Sequence, residues 1–136
     1  MNDFNQYLTR ISPDFITRNS KRIKPEDIHR ITENEERIRT ILSHHSKFQD
    51  WIPELDNVLK LVKDYNQGKR KDVPFPVIEA IIFTLFFIYQ PIELSPDFYP
   101  IVGQIDDAAL FAVCYLMAKD YLPPVHAIQI TPVIID

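Results

Sequence analysis

The chain has 136 residues, which is the size of one domain and enough to bury a core without disulfides or a structural metal. Two glycines against eleven prolines leave few positions for left-handed turns, so hairpin-rich all-β folds and Gly-rich nucleotide loops are excluded. A formal charge of -4, with Lys69-Arg70-Lys71 as the one basic cluster, argues against a broad nucleic-acid footprint, which needs clustered cations to displace counterions from phosphates.

In chain order, Phe4, Tyr7, Leu8 and Ile11 recur at helical spacing, and Ser12-Pro13 reads as an N-cap followed by a first-turn proline. Two short helices with a break at Pro13 are predicted. The stretch "MNDFNQYLTRIS" has no apolar run of the signal-peptide kind, so a cytoplasmic setting is expected. From Pro25 to His45 the pattern predicts one long helix, with Ile28, Ile31, Ile38 and Leu42 lining one face and Glu33, Glu35, Glu36, Arg37 and Arg39 on the rest. Such a narrow seam serves either the domain's own core or a partner helix. Of the two, a pairing contact with a second copy or another protein is the expectation, with Ile28, Ile31, Ile38 and Leu42 as its residues.

"DWIPELDNVLKLVKDYNQGK" predicts an amphipathic helix with Leu55, Val58, Leu59, Val62 and Tyr65 on one side and Gly68 as its stop. The character changes at Val73. "PFPVIEAIIFTLFFIYQP" is apolar nearly all round, and a second apolar run covers Ala108 to Ala118. Spanning a bilayer takes about 20 apolar residues, and reaching that length here would bury Glu79, Gln90 and three prolines. A buried helical hairpin is therefore the first reading, with shallow membrane insertion as the alternative. The tail "LPPVHAIQITPVIID" reads as extended chain.

Between the apolar runs stands "PIELSPDFYPIVGQIDDAALF", with Glu93, Asp97, Asp106 and Asp107 among prolines. Ser95-Pro96-Asp97 has the form of a cap, a first-turn proline and a first-turn acid. Asp106 and Asp107 stand where a helix start presents free N–H groups and a positive dipole end. The rival reading gathers Glu93, Asp97, Asp106 and Asp107 around a divalent cation such as Mg²⁺ or Ca²⁺, as clustered oxygens can. The four histidines lie elsewhere: His44 and His45 are neighbours that point apart on a helix, and His29 and His126 have no acidic or cysteine partner at ligand spacing. Cys114, the only cysteine, sits within "AALFAVCYLMA" and reads as a small buried hydrophobe, not a nucleophile.

This segment resembles the YkvA-like family of small bacterial helical domains, whose signature runs S-P-I-D-L-I-P-D-F-I-P-x-[IL]-G-x-[IL]-D-D. Pro91, Ile92, Leu94, Pro96, Asp97, Phe98, Pro100 and Gly103 match it, and Asp106 and Asp107 complete it. Gln90, Glu93 and Ser95 depart from it. The resemblance covers about residues 55 to 122. It implies the fold and frequent membrane association, and no established reaction.

Together these features predict an all-α protein: an N-terminal helical extension (1–50), a small helical bundle (51–122) whose hydrophobic hairpin is joined by a Pro-rich acidic loop, and an extended tail (123–136). The function expected is a non-catalytic interaction or scaffold module with a protein partner or self-association, no nucleic acid and no resident cofactor, peripheral to the cytoplasmic membrane. A metal-dependent enzyme built on the four acids and a partner-binding protein of a defence or toxin-neutralising system are the alternatives.

Overall fold

The computed structural model describes residues 13–44, 46–89 and 107–123, and the described residues form six α-helices and two short 3₁₀ segments. These helices are α1 (Pro13–Ser20), α2 (Asp27–Glu33), α3 (Glu35–Ser43), α4 (Ile52–Asn66), α5 (Phe75–Tyr89) and α6 (Asp107–Met117). The 3₁₀ segments are Ser46–Trp51 and Lys119–Tyr121. The protein is all-α, as expected. Residues 1–12, 45, 90–106 and 124–136 lie outside the described set, and with them the helix expected around Phe4, Tyr7, Leu8 and Ile11, the joining loop, the tail, His45 and His126.

Pro13 opens α1, and only its inward stripe is apolar, with Ile16 fully buried and Asp14 paired to Arg18 at 2.8 Å on the outer side. The long helix expected from Pro25 to His45 is instead two helices. Asn34 breaks it, with φ -113° and ψ 19°, while its side-chain amide donates to the Arg30 carbonyl at 2.7 Å. A short amide side chain that competes for backbone partners is a sufficient cause for such a break, and nothing in apolar spacing reports it. The start of α2 is held by the Asp27 carboxylate, which accepts from the Lys24 backbone N–H at 2.9 Å in the manner of half a capping box.

Helix α4 has the predicted amphipathic form, with Leu55, Val58, Leu59 and Val62 buried and Tyr65 packed at the edge. It ends at Gly68 as expected. Gly68 has φ +79°, its N–H donates to the Tyr65 carbonyl at 3.0 Å, and the Lys69 N–H reaches back to the Asp64 carbonyl at 2.9 Å. That pair of bonds is the Schellman arrangement, and it satisfies two carbonyls that the helix end would otherwise leave open.

Helix α5 packs against all five other helices, α1, α2, α3, α4 and α6. This explains the composition of its middle, Ala80 to Phe87: a stretch enclosed by other helices has no polar face to keep. Ala80 through Phe87 are all buried, and the one hydroxyl among them, Thr84, donates to the Ala80 carbonyl at 2.8 Å. Helix α6 packs beside α5 and buries Ala108 through Tyr115. An aromatic cluster closes the other flank of α6, where Phe48 and Phe111 meet edge to face at 5.6 Å and Trp51 stacks on Phe111 at 6.0 Å. Fully burying side chains of this size is worth about 1.5–3 kcal/mol each, so the central hairpin dominates the stability of the fold.

Ile28, Ile31, Ile38 and Leu42 are 6%, 1%, 0% and 1% exposed and belong to the same core as α5. The expected pairing seam is therefore spent inside the chain, because α2 packs on α4 and α5 and α3 does the same. Ile16, Ile31 and Phe48, from the described residues before position 50, share one continuous core with Phe83 and Phe111.

Candidate functional site

Of the four acids proposed for a cation, Glu93, Asp97 and Asp106 lie outside the described residues. Asp107 is described: it is half-buried in the first turn of α6, where a negative charge meets the positive end of the helix dipole. Among the described residues, no group of three or more His, Cys, Asp or Glu side chains is placed to hold a metal ion. His29 and His44 are exposed. His44 closes α3, with its Nδ1 at 2.8 Å from the Thr40 carbonyl; since a carbonyl only accepts, Nδ1 carries the hydrogen.

Cys114 is buried where α6 crosses α5, with Sγ 3.6 Å from the Ala80 carbonyl that also receives Thr84. Burial pushes its thiol up to about 12, with a smaller opposing contribution from Thr84. A thiol held that far from its thiolate is no nucleophile near neutrality, in line with the sequence reading.

Several charged groups are committed to the fold. Arg39 bridges α3 to α4 by donating to Asp56 at 2.7 Å, and it also binds Glu36 at 2.7 Å and Glu35 at 3.1 Å. Arg70 forms a two-pronged pair with Asp72 at 3.0 Å, so the basic cluster is partly neutralised by its own loop. Glu54 is fully buried in the first turn of α4, and the Asn57 amide donates to the Tyr115 hydroxyl at 3.1 Å to tie α4 to α6.

One arrangement stands apart. Where the end of α1, the start of α5 and the end of α6 converge, the chain leaves an open cleft of about 110 Å³. Pro76, Val77, Ala80, Met117, Ala118 and the buried Cys114 line it, and Thr17, Ser20, Lys21 and Glu79 supply the polar groups. Ser20 is occupied, since its hydroxyl donates to the Thr17 carbonyl at 3.2 Å. Lys21 and Glu79 are near enough to influence each other, yet among the described residues neither forms a hydrogen bond or an ion pair. Partial burial raises the Glu79 carboxyl above its ordinary value, and Lys21 only partly offsets the rise.

Ala80, Met117 and Ala118 line the cleft beside the end of α1. Glu79 is legible in the sequence as the one carboxylate embedded in the apolar run. Lys21 carries no such signal, since only the packing of α1 on α5 brings it there.

No described helix is long and apolar enough to cross a membrane. Residues 78–113 match the DUF1232 family. That family is described as a protein of unknown function, and the match runs from Ile78 in α5 to Val113 in α6. The match is consistent with the YkvA-like resemblance, and the two described helices it touches, α5 and α6, lie at the centre of the bundle against α1 to α4. No curated protein and no solved structure matches the chain.

Proposed function

We propose that this protein is a non-catalytic interaction module that anchors a protein partner in the cleft between α1, α5 and α6. The observation that carries the reading is the cleft itself: apolar walls open to solvent, with Lys21 and Glu79 unpaired among the described residues at its edge. Apolar concavities with a few convergent polar groups are the usual form of binding sites, because the walls supply desolvation energy and the polar groups fix orientation. A site of this size takes one side chain, which suits a module that holds a partner and not an enzyme that must enclose a substrate. The face of α5 that suggested lipid contact is covered by this chain's own helices, so the cleft is the better docking surface.

Site-specific photo-crosslinking tests the reading. A crosslinker placed at the exposed rim residue Pro76 is expected to give a discrete protein adduct in cells, and the adduct should disappear when Val77→Trp fills the cleft. The same crosslinker at exposed Glu33, on α2 and not among the residues lining the cleft, should give none. Equal adducts from Pro76 and Glu33, or an adduct indifferent to Val77→Trp in a variant that still folds, would overturn it.

A further inference from the structure

The geometry points to an alkylammonium group, the side chain of a lysine on the protein partner, as the occupant of the α1–α5–α6 cleft. This rests on the interaction reading above and adds the chemistry of what is held.

Size comes first. A dry apolar cavity of about 150 Å³ holds a benzene molecule, so the cleft of about 110 Å³ accepts a chain of four or five carbons and little more. The lysine stem is such a chain, and it readily lies along apolar surface while its head stays polar. Val77, Ala80, Met117 and Ala118 provide that surface.

The charges decide the head group. Lys21 is exposed and keeps its hydration, so it has no need of an incoming anion. Glu79 is half-buried, and among the described residues no donor reaches it. The Lys21 ammonium lines the cleft but does not hydrogen-bond Glu79, so the partly desolvated carboxylate is an acceptor left open to a guest. An arriving ammonium supplies three donors and a positive charge at that place. A purely apolar guest of the same length would bury Glu79 further and leave it unpaired, which costs free energy that the lysine recovers.

Met117 gives a direct readout, because it lines the cleft and is one of only two methionines, the other being Met1. The full chain labelled at the methionine methyls is titrated by NMR with N-acetyl-Gly-Lys-Gly-amide, with its norleucine and acetyl-lysine counterparts, and with n-butylammonium. The lysine peptide and butylammonium are expected to shift the Met117 methyl saturably. The norleucine and acetyl-lysine peptides should bind at least about tenfold more weakly, the scale of one hydrogen bond to a charged group. Glu79→Gln should weaken the lysine peptide by a similar factor and leave norleucine unchanged. Lys21→Gln should tighten it a few-fold by removing a like charge, and this exposed substitution keeps the test open should Glu79→Gln fail to fold.

Norleucine binding as tightly as lysine, or a lysine peptide indifferent to both substitutions, would overturn the alkylammonium assignment while leaving the cleft an apolar anchor site. Binding of butylammonium without the peptide would overturn the lysine of a protein partner in favour of a free amine. Silence of the Met117 methyl to all four probes would overturn this assignment, and the crosslinking result then decides separately whether the cleft anchors a partner by other means.

Discussion

The Arg39 guanidinium on α3 donates to the Asp56 carboxylate on α4 at 2.7 Å and joins two helices whose charged faces, in sequence, read as solvated surface. Arg39 also gathers Glu35 and Glu36 from its own helix, and Asp56 first, then these two carboxylates, hold its guanidinium firmly in the charged form. The Arg39 side chain is 28% exposed and Asp56 47%, so solvent screens the pair appreciably. Asp56→Asn is expected to cost under about 1 kcal/mol, and Arg39→Ala more, since it strands three carboxylates near one another. Urea denaturation at low and high salt checks this: the gap between wild type and Arg39→Ala should narrow as salt is raised.

Ile31 and Ile38 offer a sharper test, because burial and pairing predict opposite outcomes. With both in the chain's own core, Ile31→Ala and Ile38→Ala should each cost about 2–5 kcal/mol. Thermal melting followed by circular dichroism should show loss of the whole cooperative transition's stability. Light scattering should show no change of mass that precedes unfolding; dissociation of a folded dimer by these substitutions would show the seam at an interface instead.

The stop at Gly68 should behave as a conformational requirement and not a packing one. A Cβ at this position would meet nothing within 4 Å, yet φ is +79°, where side chains other than glycine are strained. Gly68→Ala is expected to cost about 1–2 kcal/mol, and Gly68→Asn distinctly less, because asparagine tolerates the left-handed region. Denaturant midpoints of the two variants rank them; equal losses would mean that something other than backbone conformation sets the cost.

Cys114 couples stability to alkaline pH. Its thiol is pushed from an ordinary value near 9.0 up to about 12 by burial, so the folded state holds the proton more tightly than the unfolded chain. The stabilisation is fully present below about pH 9 and is lost as pH rises from there towards 12. Tyr115, also raised by burial, acts in the same direction. Cys114→Val should flatten the decline of stability over this window, and in the wild type iodoacetamide near pH 8 should react only at the rate of opening. Rapid alkylation of the native protein would show that the thiol is not enclosed.

What the sequence determined alone is what depends on local pattern. The apolar periodicity of residues 52–66, the all-round apolarity of 75–89, the glycine at 68 and the acid opening α6 are each a local response to burial or to a helix end, and each is found where the pattern placed it. Glu79 was visible for the same reason, as a carboxylate out of place in an apolar run. The YkvA-like signature was legible as well, but most of its acids fall in residues 90–106, and so outside the described residues. Tertiary structure alone decided which apolar faces meet. An isoleucine seam looks the same whether it covers α5 or another molecule, because the free energy of burial depends on the area removed from water and not on whose atoms cover it. The break at Asn34 escaped because a single side-chain hydrogen bond, and not periodicity, makes it. The cleft escaped because Lys21 and Glu79, 58 positions apart from Lys21 to Glu79, come to one mouth only through the docking of α1 on α5, a long-range contact that no local spacing encodes.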